Sequence, residues 1–100
     1  MENQHRKIAG YRELSQEEID LMNRIKAKGA ELLELQHELD NMLRGQADEK
    51  SSNAASNTLD YAEFDRFMSA EPLRWASIGK TDIQTGIMAL VRAVAQPAGV

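Results

Sequence analysis

The sequence has no cysteine. A chain without thiols forms no disulfide bond, has no cysteine nucleophile and cannot hold zinc through thiolates, and it is compatible with a reducing compartment. The two histidines, His5 and His37, are far apart, and neither has a second histidine or cysteine at ligand spacing. The sequence therefore predicts neither a metal site nor a cofactor.

Long apolar runs are also missing. No stretch approaches the roughly 18 consecutive apolar residues that a membrane-spanning helix needs. The first ten residues (MENQHRKIAG) lack the apolar core of a signal peptide. The twelve Lys and Arg are interleaved with sixteen Asp and Glu, for a formal net charge of −4, so no broad basic face is available for long nucleic acid. We expect a soluble intracellular protein that contacts neither a membrane nor long DNA or RNA.

Motifs of covalent catalysis are absent as well. Neither the nucleophile motif GxSxG nor the phosphate-binding motif GxxxxGK[ST] occurs. The adjacent carboxylates of Glu17 and Glu18 fall on the solvated first turn of a predicted helix, where a catalytic acid with a shifted pKa is not expected. Ser15 is better explained as a helix cap than as a nucleophile. We therefore do not predict an enzyme.

What the sequence does contain is a long amphipathic helix, predicted over residues 15–44. Ser15 and Glu18 match a capping box, in which each side chain bonds the backbone amide of the other residue. Gly45 then supplies a C-terminal stop. Alternating steps of three and four, typical of the seam between paired helices, connect Met22, Ile25, Gly29, Leu32, Gln36, Leu39 and Leu43, with Leu35 and Met42 on an offset stripe.

A second long helix is predicted over residues 72–95, with Pro72 in its first turn, where the missing amide hydrogen is not needed. Gly79, Gly86 and Ala93 recur every seven residues and leave a smooth strip on one face. A glycine inside a helix costs about 1 kcal/mol relative to alanine, so close approach of a neighbouring helix is the preferred explanation. Gly29 in the first helix supports the same interpretation, and access for a ligand is the alternative.

Residues 45–71 are predicted to connect the two helices. The polar stretch 46–57 (QADEKSSNAASN) has no periodic apolar residues and is interpreted as a flexible connector. Residues 58–68 (TLDYAEFDRFM) suit a short amphipathic helix packed on the long pair, or a loop that covers the core. The length of 100 residues predicts a single helical-hairpin domain. Because each long helix has more apolar surface than one partner helix covers, this domain is expected to share its core with other chains.

The N-terminal arm, residues 1–14, concentrates positive charge in an otherwise acidic chain. Residues 4–12 (QHRKIAGYR) contain several cationic side chains and no acid. Tyr11 offers a flat face on which a nucleobase can stack, and neighbouring Arg or Lys side chains can meet phosphate. Lys26 is predicted to project from the edge of the apolar seam. From the residues alone, a nucleotide or small-anion site is one alternative, and a helical oligomerisation module without a small ligand is the other.

Two blocks of the sequence, residues 4–23 (QHRKIAGYRELSQEEIDLMN) and 73–97 (LRWASIGKTDIQTGIMALVRAVAQP), resemble the two halves of the hairpin domain of phage anti-defence sponges. The family that they resemble is the second anti-CBASS protein family, which counters the cyclic-oligonucleotide-based antiphage signalling system. The resemblance covers both long helices and the arm, well over half of the chain. It implies an all-α fold, a long antiparallel helical hairpin with a short N-terminal arm or helix, assembled as a compact interlocked homohexamer.

The same resemblance implies that the protein acts in the cytoplasm of an infected bacterial host by sequestering cyclic nucleotides without cleaving them. Family members hold cGAMP-like cyclic dinucleotides between protomers, and some hold cyclic trinucleotides at separate sites. The family's dinucleotide contacts, an aromatic residue after the glycine of the arm and a lysine on the first long helix, match Tyr11 and Lys26. Their neighbours complete the candidate dinucleotide site: Arg12, Met22 and Asn23. The candidates for a cyclic trinucleotide are Arg6, Lys7, Arg74, Lys80 and Thr81.

Two alternatives remain beside this function. The second hypothesis is a sponge for cyclic ADP-ribose-type signals, because related anti-Thoeris sponges share the hairpin. The third hypothesis is a structural or adaptor coiled coil that binds no small ligand.

Overall fold

The computed structural model describes residues 12–98. They form three helices in the order α1 (Gln16–Ala54), α2 (Thr58–Ser69) and α3 (Pro72–Ala95), and no strand occurs in this part of the chain. The all-α class is confirmed, and α3 has the bounds that the sequence predicts. Most of the predicted N-terminal arm, residues 1–11, lies outside the described residues.

The start of α1 is held by the predicted capping box. The Ser15 hydroxyl accepts a hydrogen bond from the Glu18 backbone amide at 3.2 Å. In return, the Glu18 carboxylate accepts one from the Ser15 amide at 2.9 Å. Glu17 and Glu18 also place negative charge in the first turn, where the helix dipole favours it. Local sequence alone accounts for this helix start.

The α1 and α3 helices form an antiparallel hairpin. Gly29 of α1 lies against Ile87, and further along α1 the Gln36 side-chain amide donates a hydrogen bond to the Ala76 carbonyl at 3.0 Å. The residue numbers of contacting positions therefore rise along α1 as they fall along α3, which shows that the two helices run in opposite directions. The structure measures 74 × 23 × 16 Å, so it is a thin rod.

The buried cluster of the described chain is small and consists of Leu43, Phe67 and Ala76, where all three helices meet. Eleven large apolar side chains elsewhere are at least 43% exposed. They are Leu21, Leu32, Leu35, Leu39, Met42, Leu59, Tyr61, Met68, Trp75, Met88 and Leu90. Residues 12–98 of a single protomer thus leave a large apolar surface uncovered, more than the scattered exposed residues of a monomer would.

The predicted end of the first helix at Arg44 is wrong. α1 continues through Gly45 and through most of the segment interpreted as a flexible connector, and it ends at Ala54. The predicted 45–71 connection is thereby reduced to two short turns, residues 55–57 and residues 70–71. A glycine inside a helix is tolerated when other contacts hold the helix on both sides of it.

Contacts with α2 supply that support. Ala47 packs against the buried cluster. One turn later, the ammonium group of Lys50 lies 2.9 Å from the Glu63 carboxylate of α2 and 5.8 Å from the centroid of the Phe67 ring. Residues 46–57 show no apolar period because one small apolar residue and one cation hold this stretch.

The short helix predicted for residues 58–68 is confirmed as α2, so the alternative of a covering loop is wrong. Its start is capped by Asn57, whose side-chain oxygen accepts a hydrogen bond from the Asp60 amide at 2.9 Å. Phe67 is its buried residue. The helix therefore packs on the hairpin through one aromatic side chain near its C-terminal end.

The close helix approach predicted at the helix glycines holds at one position and fails at two others. At Gly29 the prediction of close helix approach is confirmed, because this glycine is buried and an added Cβ would overlap the Ile87 side chain. At Gly79 and Gly86 it is wrong within one chain, since nothing among the described residues lies within 4 Å of a Cβ built there. Gly79 lines a groove beside α1 without close contact, so packing within one chain does not explain these two glycines.

Substitution of Gly29 by alanine is expected to lower the free energy of unfolding by about 1–3 kcal/mol, the usual cost of overpacking a contact. The new Cβ would lie 2.7 Å from Ile87 Cγ1, an inner atom of a branched side chain with little freedom to move. Urea unfolding followed by circular dichroism measures the change. The control is Gly45→Ala, where the added Cβ meets nothing within 4 Å and a gain of about 1 kcal/mol is expected. Equal responses at the two positions would contradict the packing.

Candidate functional site

A hollow of about 350 Å³ lies between Lys26 of α1 and the last turns of α3. We call it the Lys26 hollow. The remaining lining residues are Ile87, Met88, Val91, Arg92, Ala95 and Pro97. Two cationic side chains line this otherwise apolar surface, and no carboxylate is among the lining residues. Such a surface is complementary to a ligand that combines a flat apolar face with negative charge.

Lys26 is exposed, and its ammonium group makes no hydrogen bond or ion pair with any residue between 12 and 98. Lys28, two residues later, differs in both respects. It lines a groove on the other side of the α1–α3 contact, and it pairs with Glu31 at 3.6 Å. Lys26 is therefore available to an anion in a way that Lys28 is not.

Met22 and Asn23 lie one helical turn before Lys26. Met22 is half-buried and Asn23 is exposed. Residues three and four positions apart are neighbours on a helix surface, so both lie beside Lys26, but neither belongs to the lining of the hollow. Their ligand contacts remain predictions.

Arg12 is engaged within the chain. Its guanidinium forms an ion pair with Glu18 and donates a hydrogen bond to the Val94 carbonyl at 2.8 Å. Carbonyls in the last turn of a helix lack an intrahelical partner, and the negative end of the helix dipole favours a cation there. Arg12 therefore ties the start of α1 to the end of α3. Its predicted ligand contact remains a prediction.

The residue that precedes Arg12 is Tyr11, the predicted base-stacking residue. Together with Arg6 and Lys7 it lies outside the described residues. The attachment point of the arm is nevertheless defined by Arg12, which bonds Val94. Val94 stands between Val91 and Ala95, two lining residues of the Lys26 hollow. The arm thus joins the hairpin next to this hollow.

The described part of the trinucleotide set lies in the first half of α3: Arg74, Lys80 and Thr81. The Arg74 guanidinium pairs with Glu71 at 3.2 Å and lies 5.1 Å from the Trp75 ring centroid. Thr81 donates a hydrogen bond to the Ser77 carbonyl at 3.3 Å. None of the three lines the Lys26 hollow, so the structure separates this set from the dinucleotide candidates.

A long apolar groove follows the other side of the α1–α3 contact. Two adjoining hollows of about 560 and 500 Å³ share Leu32. We call them together the side groove. The exposed large apolar residues that line it are Leu21, Leu32, Leu35, Leu39, Trp75 and Leu90. Its composition suits contact with another apolar surface rather than an anion.

A family model described as Acb2/Tad1, hairpin domain, matches residues 4–95. The chain belongs to this family. Anti-CBASS protein 2 from Pseudomonas phage JBD67 is 58% identical over an alignment of 107 residues that covers 99% of each chain. The resemblance identified from the two sequence blocks is confirmed.

Met88 and Arg92 of this Acb2/Tad1 hairpin are not among the residues predicted for the dinucleotide site. Met88 and Arg92 line the Lys26 hollow, yet the sequence alone did not place either of them near Lys26. Their spacing of four residues shows that they share a face of α3. That signal was available, but the sequence does not say which face of α3 turns towards Lys26, because this depends on how the two helices pack.

Two further properties concern residues 12–98 of this hairpin. Within that range, no group of three or more acidic or histidine side chains is arranged to hold a metal ion. None of the three helices is both long and apolar enough to cross a membrane.

The Arg12–Glu18 pair gives the hairpin a pH dependence. The Arg12 guanidinium, and then the Ser15 backbone amide, lower the pKa of Glu18 from 4.5 to about 2. A carboxylate with a lowered pKa stabilises the fold fully above its unfolded pKa, and this stabilisation is lost as the pH falls towards the folded value. Between pH 4.5 and 2 the pair therefore stops contributing.

Replacement of Glu18 by glutamine is expected to lower the thermal midpoint at pH 7, because glutamine can keep the capping bond but loses the charge that pairs with Arg12. The difference from the parent protein should shrink as the pH falls from 4.5 to 2. Thermal melts across this range measure it. Glu17→Gln, in the same turn and without an ion pair among the described residues, should change the midpoint less. A difference that stays constant with pH would contradict the role of the pair.

Proposed function

We propose that this chain is a viral anti-CBASS protein that binds cyclic dinucleotide second messengers and sequesters them without cleaving them. The observation that carries the proposal is the 58% identity, over nearly the full length, to a phage protein named as an anti-CBASS protein. The protein acts in the cytoplasm of the infected bacterium, where bound messenger no longer reaches the effector of the defence system. It needs no cofactor, and its partners are the cyclic nucleotides and further copies of itself.

The Lys26 hollow supports a binding function. Lys26 neutralises a phosphate, and Tyr11, whose arm joins the hairpin beside the hollow, stacks on a nucleobase. The hollow of about 350 Å³ is near the lower end of the roughly 300–1,000 Å³ of ligand pockets, so one chain covers only part of a cyclic dinucleotide. Because that ligand has two bases and two phosphates in a pseudo-twofold arrangement, two chains related by a twofold axis present the same groups to each half.

The exposed apolar surface supports an assembly. The side groove and the strip through Gly79 and Gly86 are left uncovered by the rest of the described chain. Burying them between copies of the chain, each contributing one helical-hairpin domain, gives the core that one protomer lacks. The assembly is a compact interlocked homohexamer. Light scattering on protein eluting from a size-exclusion column should give six times the chain mass of 11.2 kDa. A folded monomer would contradict this part of the proposal.

Cyclic trinucleotides are a second ligand class of the proposal. The separation of Arg74, Lys80 and Thr81 from the Lys26 hollow supports a distinct site, to which Arg6 and Lys7 of the arm contribute. Titration of a cyclic trinucleotide into protein saturated with a cyclic dinucleotide tests it. Undiminished trinucleotide affinity is expected for two sites, and competition between the two ligands would contradict them.

The decisive experiment identifies what the protein holds. Purified protein is incubated with cyclic di- and trinucleotides and with cyclic ADP-ribose-type compounds, filtered, denatured, and the released compounds are analysed by mass spectrometry. Recovery of an unchanged cyclic dinucleotide is expected. Linear products would contradict binding without cleavage, release of cyclic ADP-ribose-type compounds alone would favour the anti-Thoeris alternative, and recovery of nothing would favour a module without a small ligand.

A further inference from the structure

We propose that α3 supplies a second wall of the cyclic dinucleotide site, with Arg92 binding a phosphate and Met88 packing against a nucleobase. This inference rests on the proposed function and adds two residues to the site around Lys26. Both residues line the Lys26 hollow from the side opposite α1.

The charges around the hollow favour a phosphate at Arg92. Lys26 on α1 and Arg92 on α3 place one cation on each wall, so the phosphate that one chain of a twofold pair holds meets two cations. The guanidinium fork can bind phosphate through two parallel hydrogen bonds.

Other hollows of the described chain suit an anion less well. The polar hollow between α1 and α2 contains Lys50, but Glu49, Asp60 and Glu63 line it too. Phosphate would meet repulsion from these carboxylates. The side groove contains Arg24 and Lys28, but the carboxylate of Glu31 lines it too. The Lys26 hollow combines two cations with a lining free of carboxylates, which suits an anionic group.

The position of Met88 favours contact with a base. Its side chain is 68% exposed. It lies one helical turn before Arg92 and next to Ile87, which packs against Gly29 of α1. An exposed methionine at the rim of a hollow can adapt its three side-chain torsions to an aromatic surface, and its sulfur makes favourable contacts with aromatic rings. A nucleobase supplies such a surface.

The test uses calorimetric titration of the purified full-length protein with a cyclic GMP–AMP dinucleotide. Arg92→Gln is expected to weaken binding about 10–100-fold, as for loss of a charged hydrogen bond. It should also reduce the dependence of the affinity on salt, which a purely structural role would not do. Met88→Ala is expected to weaken binding about 2–10-fold. Arg92→Lys, which keeps the charge, should recover part of the loss.

Matched controls are Arg44→Gln and Leu59→Ala. Arg44 pairs with Asp40 far along α1, and Leu59 is 83% exposed on α2, so neither variant should change the affinity. If Lys26→Gln loses affinity while Arg92→Gln and Met88→Ala keep it, the second wall is wrong and the proposed function stands. If the parent protein binds no cyclic nucleotide, both fail. Should Arg92→Gln unfold, as thermal melts would show, the Met88→Ala result decides: unchanged affinity overturns the inference.

Discussion

Replacement of Lys26 by glutamate is expected to weaken binding of a cyclic dinucleotide by more than about 100-fold, because a charge-assisted contact is replaced by repulsion of the phosphate. The oligomeric state should not change, since Lys26 is exposed and makes no ion pair within residues 12–98. Calorimetric titration measures the affinity, and light scattering measures the mass of the same sample.

Lys28→Glu provides the matched control for this experiment. It makes the same charge change two residues away, but on the side of α1 that faces the side groove. Its affinity for the dinucleotide should stay close to that of the parent protein, provided that light scattering shows the same mass. Equal losses in the two variants would indicate a general charge effect rather than a site. Retained affinity in Lys26→Glu would reject the assignment of Lys26.

Replacement of Phe67 by alanine is expected to lower the free energy of unfolding by about 3–5 kcal/mol, the usual cost of truncating a buried aromatic side chain. Phe67 is only 5% exposed and belongs to the small buried cluster. Its loss should detach α2 from the hairpin. Because the part of α1 beyond Gly45 is held by α2, residues 46–54 should lose helix at the same time. Urea unfolding and amide hydrogen exchange measure the two effects.

Leu59→Ala is the control for Phe67→Ala. Leu59 lies on the same helix but is 83% exposed, so its truncation should change the free energy of unfolding by no more than about 0.5 kcal/mol. Amides of residues 46–54 should remain as protected as in the parent protein. If they also remain protected in Phe67→Ala, the extension of α1 is intrinsic to its sequence and the explanation from α2 packing is wrong.

Local signals predicted the helix starts well. The Ser15 capping box and the proline at the start of α3 involve groups within one turn of each other, so the sequence alone specifies them. The end of α1 depends on a different kind of interaction. Gly45 is a strong local stop, but Ala47 and Lys50 contact residues of α2 that follow much later in the chain.

The candidate site shows the same division. Lys26 was predicted because the sequence resembles a family that has a lysine at this position, and the structure places it at a hollow of suitable chemistry. Arg12 was predicted to contact the ligand through its position in the cationic arm. The structure shows it bonded to Glu18 and Val94. Nothing in the sequence indicates that Arg12 bonds Val94, because the two residues are 82 positions apart.

The sequence by itself determined the all-α class, the capped start of α1, the bounds of α3 and membership of the family. Each of these depends on residues near one another in the chain, or on similarity to a known pattern. Only the tertiary structure decided how far α1 extends, which face of α3 turns towards Lys26, and where the guanidinium of Arg12 bonds. These depend on contacts between segments that are distant in the sequence. Such contacts outweigh a local signal such as the helix stop at Gly45.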